Sequence, residues 1–581
     1  MSRGPATVVV LAAVLLLSGC GLPLPGTVQE PGPVTAEQQQ PGDIQVLPPG
    51  PRDDTPPDQV VRDFFGAQSN PDSGHGRARE FLAPEKATVW KDGGPVSVFD
   101  GALTVTAVDG DPGSYRVGGH RVGRIGDDGS YSRDDSTVAL LVRLRQAERG
   151  RWVLTDVPDG LLLSTADRDR SFRARNVYFL APTSGEISPT THLVPDPAFL
   201  PVTADPADAL VRRLLVGPSA ALNDSVGTAV PPGTSLRSPV RTDAAGVVTV
   251  DLSGQVLAAP VQQRERLSAQ LVWTLRSVSG GFTKLRLLSD GRIVRVGAAG
   301  PDGLQARDDW PAYDPDGLQP PIPAFYISGR QLRSLDGGLV ASEAAGDGNR
   351  QLVDVAATSP RGRTLALLTR VGRSWELSTG PVSGPFLVRE RAPALASPSW
   401  GSGEQGLWFL QGSRVMLARS TGTPAVVPVD GLAQYGPISG LRVSRDGARV
   451  GLIAGSGANR RLVVGRVSTM TGRVRITGLR DVAPTVSDVH DLTWDTATSL
   501  VVLGRLSGVS APIRVAVDGS SVALVIRIGL ENSTPNTVAG APGRQLVIGA
   551  TVADGTAVLF RDNGRLYVRE DGAGYAPFYP G

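Results

Sequence analysis

The sequence runs to 581 residues, enough for three or four domains of ordinary size and for a sizeable buried core. Lysine and arginine total 58 against 56 aspartates and glutamates, a formal net charge of +2 with the signs intermixed, which argues against a nucleic-acid binder with its basic patch or stripe. A single cysteine excludes a disulfide framework within the chain, and 71 glycines with 47 prolines favour short strands and tight turns over long helices.

At the N-terminus, Arg3 precedes an apolar run from Val8 to Leu17. The run suits a secretory signal but falls short of the about 20 residues needed to cross roughly 30 Å of hydrocarbon. It closes on Leu17-Ser18-Gly19-Cys20, where small residues admit a signal peptidase and the thiol is a nucleophile that can take up a lipid. The pattern resembles the bacterial lipobox, which implies cleavage after residue 19 and an N-palmitoyl, S-diacylglycerol cysteine at Cys20. Paired acyl chains, at about 0.8 kcal/mol per buried methylene, hold a protein on a bilayer where one chain is marginal. The competing reading is an ordinary secretory signal with a stray cysteine. Residues 20–54 are rich in Pro, Gly and Gln, with Pro48-Pro49-Gly50-Pro51, and read as an extended tether that buries no core.

A first α+β domain is expected over 55–165. Its opening helix has Thr55 as candidate cap, Pro56 and Pro57 in the first turn, and Val60, Val61, Phe64 and Phe65 on one face. Helical periodicity continues through Ala78-Arg79-Glu80-Phe81-Leu82, and strands follow at Leu103 to Val108, Tyr115 to Val117, Thr137 to Leu144 and Trp152 to Leu154. Helices followed by a strand meander look like the cone-shaped nuclear transport factor 2 type of fold, with helices packed on a curved sheet.

A second α+β unit is expected over 171–300. It opens with a strand, Asn176 to Leu180, and contains a helix on which every local signal agrees. Asp205 caps it, Pro206 fills the first turn, Leu210, Val211, Leu214 and Leu215 form the buried face, and Gly217-Pro218 stops it. Pro231-Pro232-Gly233-Thr234, the strand Val247 to Leu252 and a helix bearing Leu267, Leu271, Val272 and Leu275 follow. The series resembles the GerMN domain of sporulation and cell-envelope proteins. Gly217 and Gly233 serve as turn residues, and Asp251 as a strand-end bond to backbone.

From 320 to 581 the chain holds weakly similar units. Ser359-Pro360-Arg361-Gly362 is echoed by Ser444-Arg445-Asp446-Gly447, each followed by an apolar run, and both resemble the turn of TolB-type propeller blades. Ser397-Pro398-Ser399-Trp400, Leu492-Thr493-Trp494-Asp495 and Ala541-Pro542-Gly543-Arg544 recur at offsets of about 40 to 50 residues, the length of a four-stranded blade. With the segment around Phe325-Tyr326-Ile327, about six blades are expected. A β-sandwich with irregular repeats is the competing reading, since Asp-Gly turns occur in any all-β domain.

No positive signal for catalysis emerges. There is no Gly-x-Ser-x-Gly elbow and no phosphate-binding Gly-rich loop ending in Lys-Ser or Lys-Thr. His75, His120, His192 and His490 stand far apart in sequence without metal-ligand spacing. His490-Asp491 reads as a polar pair in a turn before a strand, and Asp127-Asp128 and Asp134-Asp135 as solvated turns. No catalytic, cofactor-binding or metal residue is therefore assigned, and no cofactor is expected.

The lipobox at Cys20, the GerMN-like middle and the C-terminal propeller with Ser444-Arg445-Asp446-Gly447 together resemble the actinobacterial LpqB lipoprotein family over essentially the whole length. Lysine occurs only at Lys86, Lys91 and Lys284, a bias that agrees with a GC-rich actinobacterial genome. The resemblance implies a non-enzymatic lipoprotein anchored on the extracytoplasmic face of the cell membrane. Its implied partner is the extracellular domain of an MtrB-like sensor histidine kinase, through which it modulates MtrA–MtrB signalling in cell-wall and division control. A cell-wall lipoprotein that binds or processes peptidoglycan is the alternative.

Overall fold

The computed structural model describes residues 49–70, 74–181, 192–202, 205–278, 281–318, 320–335, 352–402, 406–469, 473–525, 533–553, 555, 557–561, 566–567 and 574–581. The lipobox residues Leu17, Ser18, Gly19 and Cys20, and the tether up to residue 48, lie outside the described residues.

The first domain opens with helix α1 (Pro57–Ala67), followed by α2 (Gly76–Arg79) and α3 (Pro84–Val89). Thr55 does not cap α1: Pro56 holds the N-cap position without a side-chain bond, because the two prolines already set the extended entry and the first-turn φ. Helix α2 stops at Arg79 and does not run on to Leu82: Leu82 pairs with Leu154 in a parallel bridge, in which Leu154 N–H donates to Phe81 O and Ala83 N–H to Leu154 O. Five strands form one sheet in the order β4-β3-β2-β1-β5: β1 (Val96–Ala107), β2 (Ser114–Ile125), β3 (Tyr131–Gln146), β4 (Trp152–Asp156) and β5 (Leu161–Ser164). Register shifts interrupt β1, β2 and β3, and such bulges bend a sheet. Over it lie Val60, Val61, Phe64 and Phe65 of α1, with the Phe64 ring edge-on to Trp90 at 5.8 Å.

A short helix α4 (Thr165–Ser171), capped by Ser164, leads into the hairpin β6 (Phe172–Leu180) and β7 (Leu193–Pro201). Helix α5 (Pro206–Val216) starts and stops as its sequence dictates: the Asp205 carboxylate accepts from Ala207 N–H, and Gly217 terminates it at φ 97°. Behind it, β9 (Val247–Leu252) runs parallel to β10 (Lys284–Ser289), with β8 (Arg241–Thr242), β11 (Arg292–Ile293) and β12 (Leu304–Ala306) at the margins. Helices α6 (Gln255–Ala258) and α7 (Val261–Leu275) complete this part, and Leu267, Leu271, Val272 and Leu275 of α7 join its core.

The remainder is a ring of six sheets. Blades 2 to 6 have four antiparallel strands each, their innermost strands beginning at Val355, Leu395, Ile438, Val486 and Ser533. Blade 1 joins Phe325–Ser328 and Gln331–Ser334 to the last strand of the chain, Gly574–Phe578, so the two ends of this region close the ring. This topology excludes the β-sandwich. Closure removes the two edges that an open stack would present, and each blade buries both faces against its neighbours. Strands such as Arg449–Ala454 are consequently buried at every position, and the core is a set of slabs between blades. The paired sequence echoes are equivalent turns. Ser359 N–H reaches Thr364 O and Gly362 N–H reaches Ser359 O, while Ser444 N–H reaches Arg449 O and Gly447 N–H reaches Ser444 O.

Candidate docking surfaces

The three parts are joined by polar contacts across their junctions, some of them buried. Phe199 of β7 sits in the core of the first domain, 5.7 Å from Tyr131, with its N–H donated to Gly129 O. The Arg168 guanidinium stacks over both rings, at 5.6 and 5.1 Å, and donates to Ser520 O of blade 5. Arg449 of blade 4 donates to Pro195 O of β7 at 2.6 Å, and Arg466 to Ala220 O at 2.9 Å. Ala181, Val194, Leu222 and Ala448 form a small apolar cluster at the same junction. A buried arginine that bonds a carbonyl across a junction fixes its geometry, because separation would strand both groups.

The propeller axis is filled on one side by Arg445. Its guanidinium, 6% exposed as a residue, donates to Pro580 O at 3.0 Å, Trp494 O at 3.2 Å and Gly540 O at 2.9 Å. One side chain thus ties the blade 4 turn to blades 5 and 6 and to the closing segment, leaving a cavity of only about 30 Å³. Nearby, burial pushes the Asp316 carboxyl up to about 7, against the opposing pull of Arg445. Burial also raises the Asp446 carboxyl.

Larger hollows lie at the periphery. A cleft of about 610 Å³ between the first two parts is lined by Phe172, Leu200, Val216, His75, Asp127 and Arg213 among others. An open hollow of about 730 Å³ at the carboxyl ends of β9 and β10 holds Arg237, Asp251, Ser253, Gln255 and Asp290. A groove of about 960 Å³ runs along the outer rim of blades 3 and 4.

The titratable residues singled out from the sequence are dispersed. His120 pairs with Asp135 across β2 and β3 at 2.5 Å, both half exposed. Asp134 bonds Arg124 at 2.6 Å. The expectation of a solvated turn is therefore wrong for Asp134-Asp135, which lie on β3, where cross-strand partners on a solvated face accommodate charge. Asp127-Asp128 do sit in a turn, with Asp128 accepting from Ser130 N–H. His490-Asp491 lie within the innermost strand of blade 5 and not before it: His490 Nε2 approaches Pro535 O and Asp491 accepts from Val538 N–H, both in blade 6. Burial pushes Asp491 up, and pushes His75 and His192 below their ordinary value. His192 Nδ1 lies 3.1 Å from Asp314 O. Asp251 accepts from Gly291 N–H, the strand-end role expected of it. Among the described residues, no three His, Cys, Asp or Glu side chains are grouped to hold a metal ion, and no helix is long and apolar enough to cross a membrane.

Sequence reasoning missed Arg445 and Arg449 as junction residues, and the rim groove. The signal for Arg445 was the arginine in Ser444-Arg445-Asp446-Gly447 where Ser359-Pro360-Arg361-Gly362 has proline. The buried trio of Arg213, Asp196 and Ser219, bonded at 2.7 to 2.9 Å, had no sequence signal, since its members come from separate elements.

Residues 50–169 match the family model of the LpqB lipoprotein N-terminal domain, 176–295 that of sporulation and spore germination, and 330–580 that of the LpqB lipoprotein beta-propeller domain. Lipoprotein LpqB of Rhodococcus jostii is 27% identical over 574 residues, covering 90% of this chain and 88% of the relative. Its namesake in Streptomyces coelicolor is 26% identical over 624 residues, covering 100% and 98%. Among solved structures, TolB from Acinetobacter baumannii aligns with 44% of this chain and 66% of its own, at 14% identity and a TM-score of 0.35.

Proposed function

Since the chain belongs to the LpqB lipoprotein family, we propose that it is a non-enzymatic accessory lipoprotein, anchored through Cys20 on the extracytoplasmic face of the cell membrane. There it docks on the extracellular domain of an MtrB-like sensor histidine kinase and biases MtrA–MtrB signalling in cell-wall and division control. The observation that carries the reading is the set of cross-junction bonds from Arg168, Arg449 and Arg466, which supports a stiff body whose hollows face outward. A docking protein shifts a kinase between signalling states only by its differential affinity for them, and a preformed surface loses little entropy on binding. Chemical cross-linking in intact cells followed by affinity purification tests this. Recovery of the sensor kinase supports it, and its absence from every cross-linked product counts against it.

A second reading, a cell-wall binding or processing lipoprotein, is favoured by one feature. The hollow at Arg237, Asp251 and Asp290 is polar and stands at the carboxyl ends of parallel strands, where α/β sheets take small ligands. Titration calorimetry with muropeptides separates the two, specific heat favouring the second.

A further inference from the structure

We propose that the rim groove between blades 3 and 4 binds an extended acidic peptide segment as an added β-strand. Two independent features of the groove point there. The first is charge. Arg419, Arg473 and Arg475 line it, and Arg475 lies 3.5 Å from the Asp430 carboxylate. Arginine forks pair carboxylates bidentately, so a ligand bearing several carboxylates suits this wall better than a neutral one.

The second feature is an open strand edge. Blade 3 ends with the strand Ala425–Val426, which among the described residues is paired on one side only, to Arg414–Arg419. Val427 N–H bonds Val415 O, so in the antiparallel alternation the neighbouring pair, Met416 and Val426, is the one whose polar groups face away from each other. The N–H and C=O of Val426 therefore point outward from the sheet, and its side chain is 54% exposed. The groove walls continue along Val427 and Pro428, where the chain crosses to pair with Ile476 of blade 4.

An incoming strand supplies partners for the outward N–H and C=O of Val426, which have none among the described residues, and its alternate side chains project to one face at a spacing that meets successive arginines. A polyphosphate or anionic glycan meets the charge but has no regular ladder of amide N–H and C=O groups. The observations thus favour a peptide. The proposal deepens the docking reading and rests on it, but its test uses no kinase, so failure of the groove and failure of the kinase interaction are separate results.

The probe is a fluorescein-labelled peptide in which glutamate alternates with valine and threonine, titrated with the full-length protein in detergent and followed by anisotropy. Binding with a Kd of roughly 1–100 μM is expected, the range of weak, transient recognition. The variant R473E/R475E lowers affinity at least tenfold. Val426→Pro also lowers it at least tenfold while leaving all charges in place, because proline on an edge strand removes only the outward N–H. A lysine-for-glutamate peptide does not bind. Equal binding of the acidic and lysine peptides overturns the proposal, as does wild-type affinity in V426P, which would mark a diffuse polyanion site. Arg473 is exposed, so the arginine variant reads out even if the proline variant fails to fold.

Discussion

Replacing Arg445 by alanine removes a buried side chain that bonds three carbonyls from separate parts of the propeller. Three charge-assisted bonds disappear, to Pro580 O, Trp494 O and Gly540 O. Each such bond is worth about 1.5–3 kcal/mol, and the stranded carbonyls lose their partners in a site almost closed to water. Against this stands relief of the guanidinium's desolvation, a penalty visible in the downward push that burial exerts on its ionisation. The balance is a loss of roughly 3–5 kcal/mol. For a unit of this size, that corresponds to a fall of roughly 10 °C in melting temperature, at about 2–4 °C per kcal/mol. Differential scanning calorimetry of the purified protein measures it, and hydrogen exchange adds a location: protection should fall at Gly574–Phe578 and around Gly540 before it falls in the first domain. Arg445→Lys should recover only part of the loss, since one ammonium cannot span three carbonyls held by a planar fork. A fall below about 2 °C for the alanine variant would refute the idea that this residue staples the ring closed.

Further expectations concern the other buried groups and the anchor. The Asp316 carboxyl is raised by burial to about 7, above its value in an unfolded chain, so it favours the folded state fully at low pH and loses that contribution as pH rises through 7. Denaturation of Asp316→Asn and wild type between pH 4 and 8 should show the wild type losing stability relative to the variant, by on the order of 4 kcal/mol; parallel curves would contradict this. Asp196→Ala leaves the 3% exposed Arg213 side chain without its carboxylate and should cost about 3–5 kcal/mol in denaturant titration. A cost under 1 kcal/mol would mean that water reaches the site. Cys20→Ala should leave the melting temperature of the body unchanged and shift the protein from the membrane to the soluble or unprocessed fraction. Unchanged fractionation would remove the lipid anchor.

Much of the architecture was legible because local and tertiary demands agree. Around α5, the cap Asp205, Pro206 and Gly217 sit at positions that a helix requires whatever it packs against, and the buried face follows from spacing alone. The turns at Ser359 and Ser444 were readable for the same reason: a tight turn restricts residue type locally, and Gly362 and Gly447 take positive φ. Where tertiary contacts decide, the reading failed. Asp134-Asp135 look like turn residues until Arg124 and His120 from the adjacent strand supply partners. His490-Asp491 look like a turn pair until blade 6 provides Pro535 O and Val538 N–H. The rim groove is less visible still, because Arg419, Val426 and Arg473 belong to different strands and loops, and only blade packing brings them to one wall.

Contact with a sensor kinase is tested most directly by biolayer interferometry between the purified protein and the isolated extracellular domain of the MtrB-like kinase from the same organism. Saturable binding with a Kd of about 10 μM or tighter is predicted, unaffected by added muropeptides. No binding at about 100 μM, with muropeptides instead giving a saturable signal on the same surface, would contradict it.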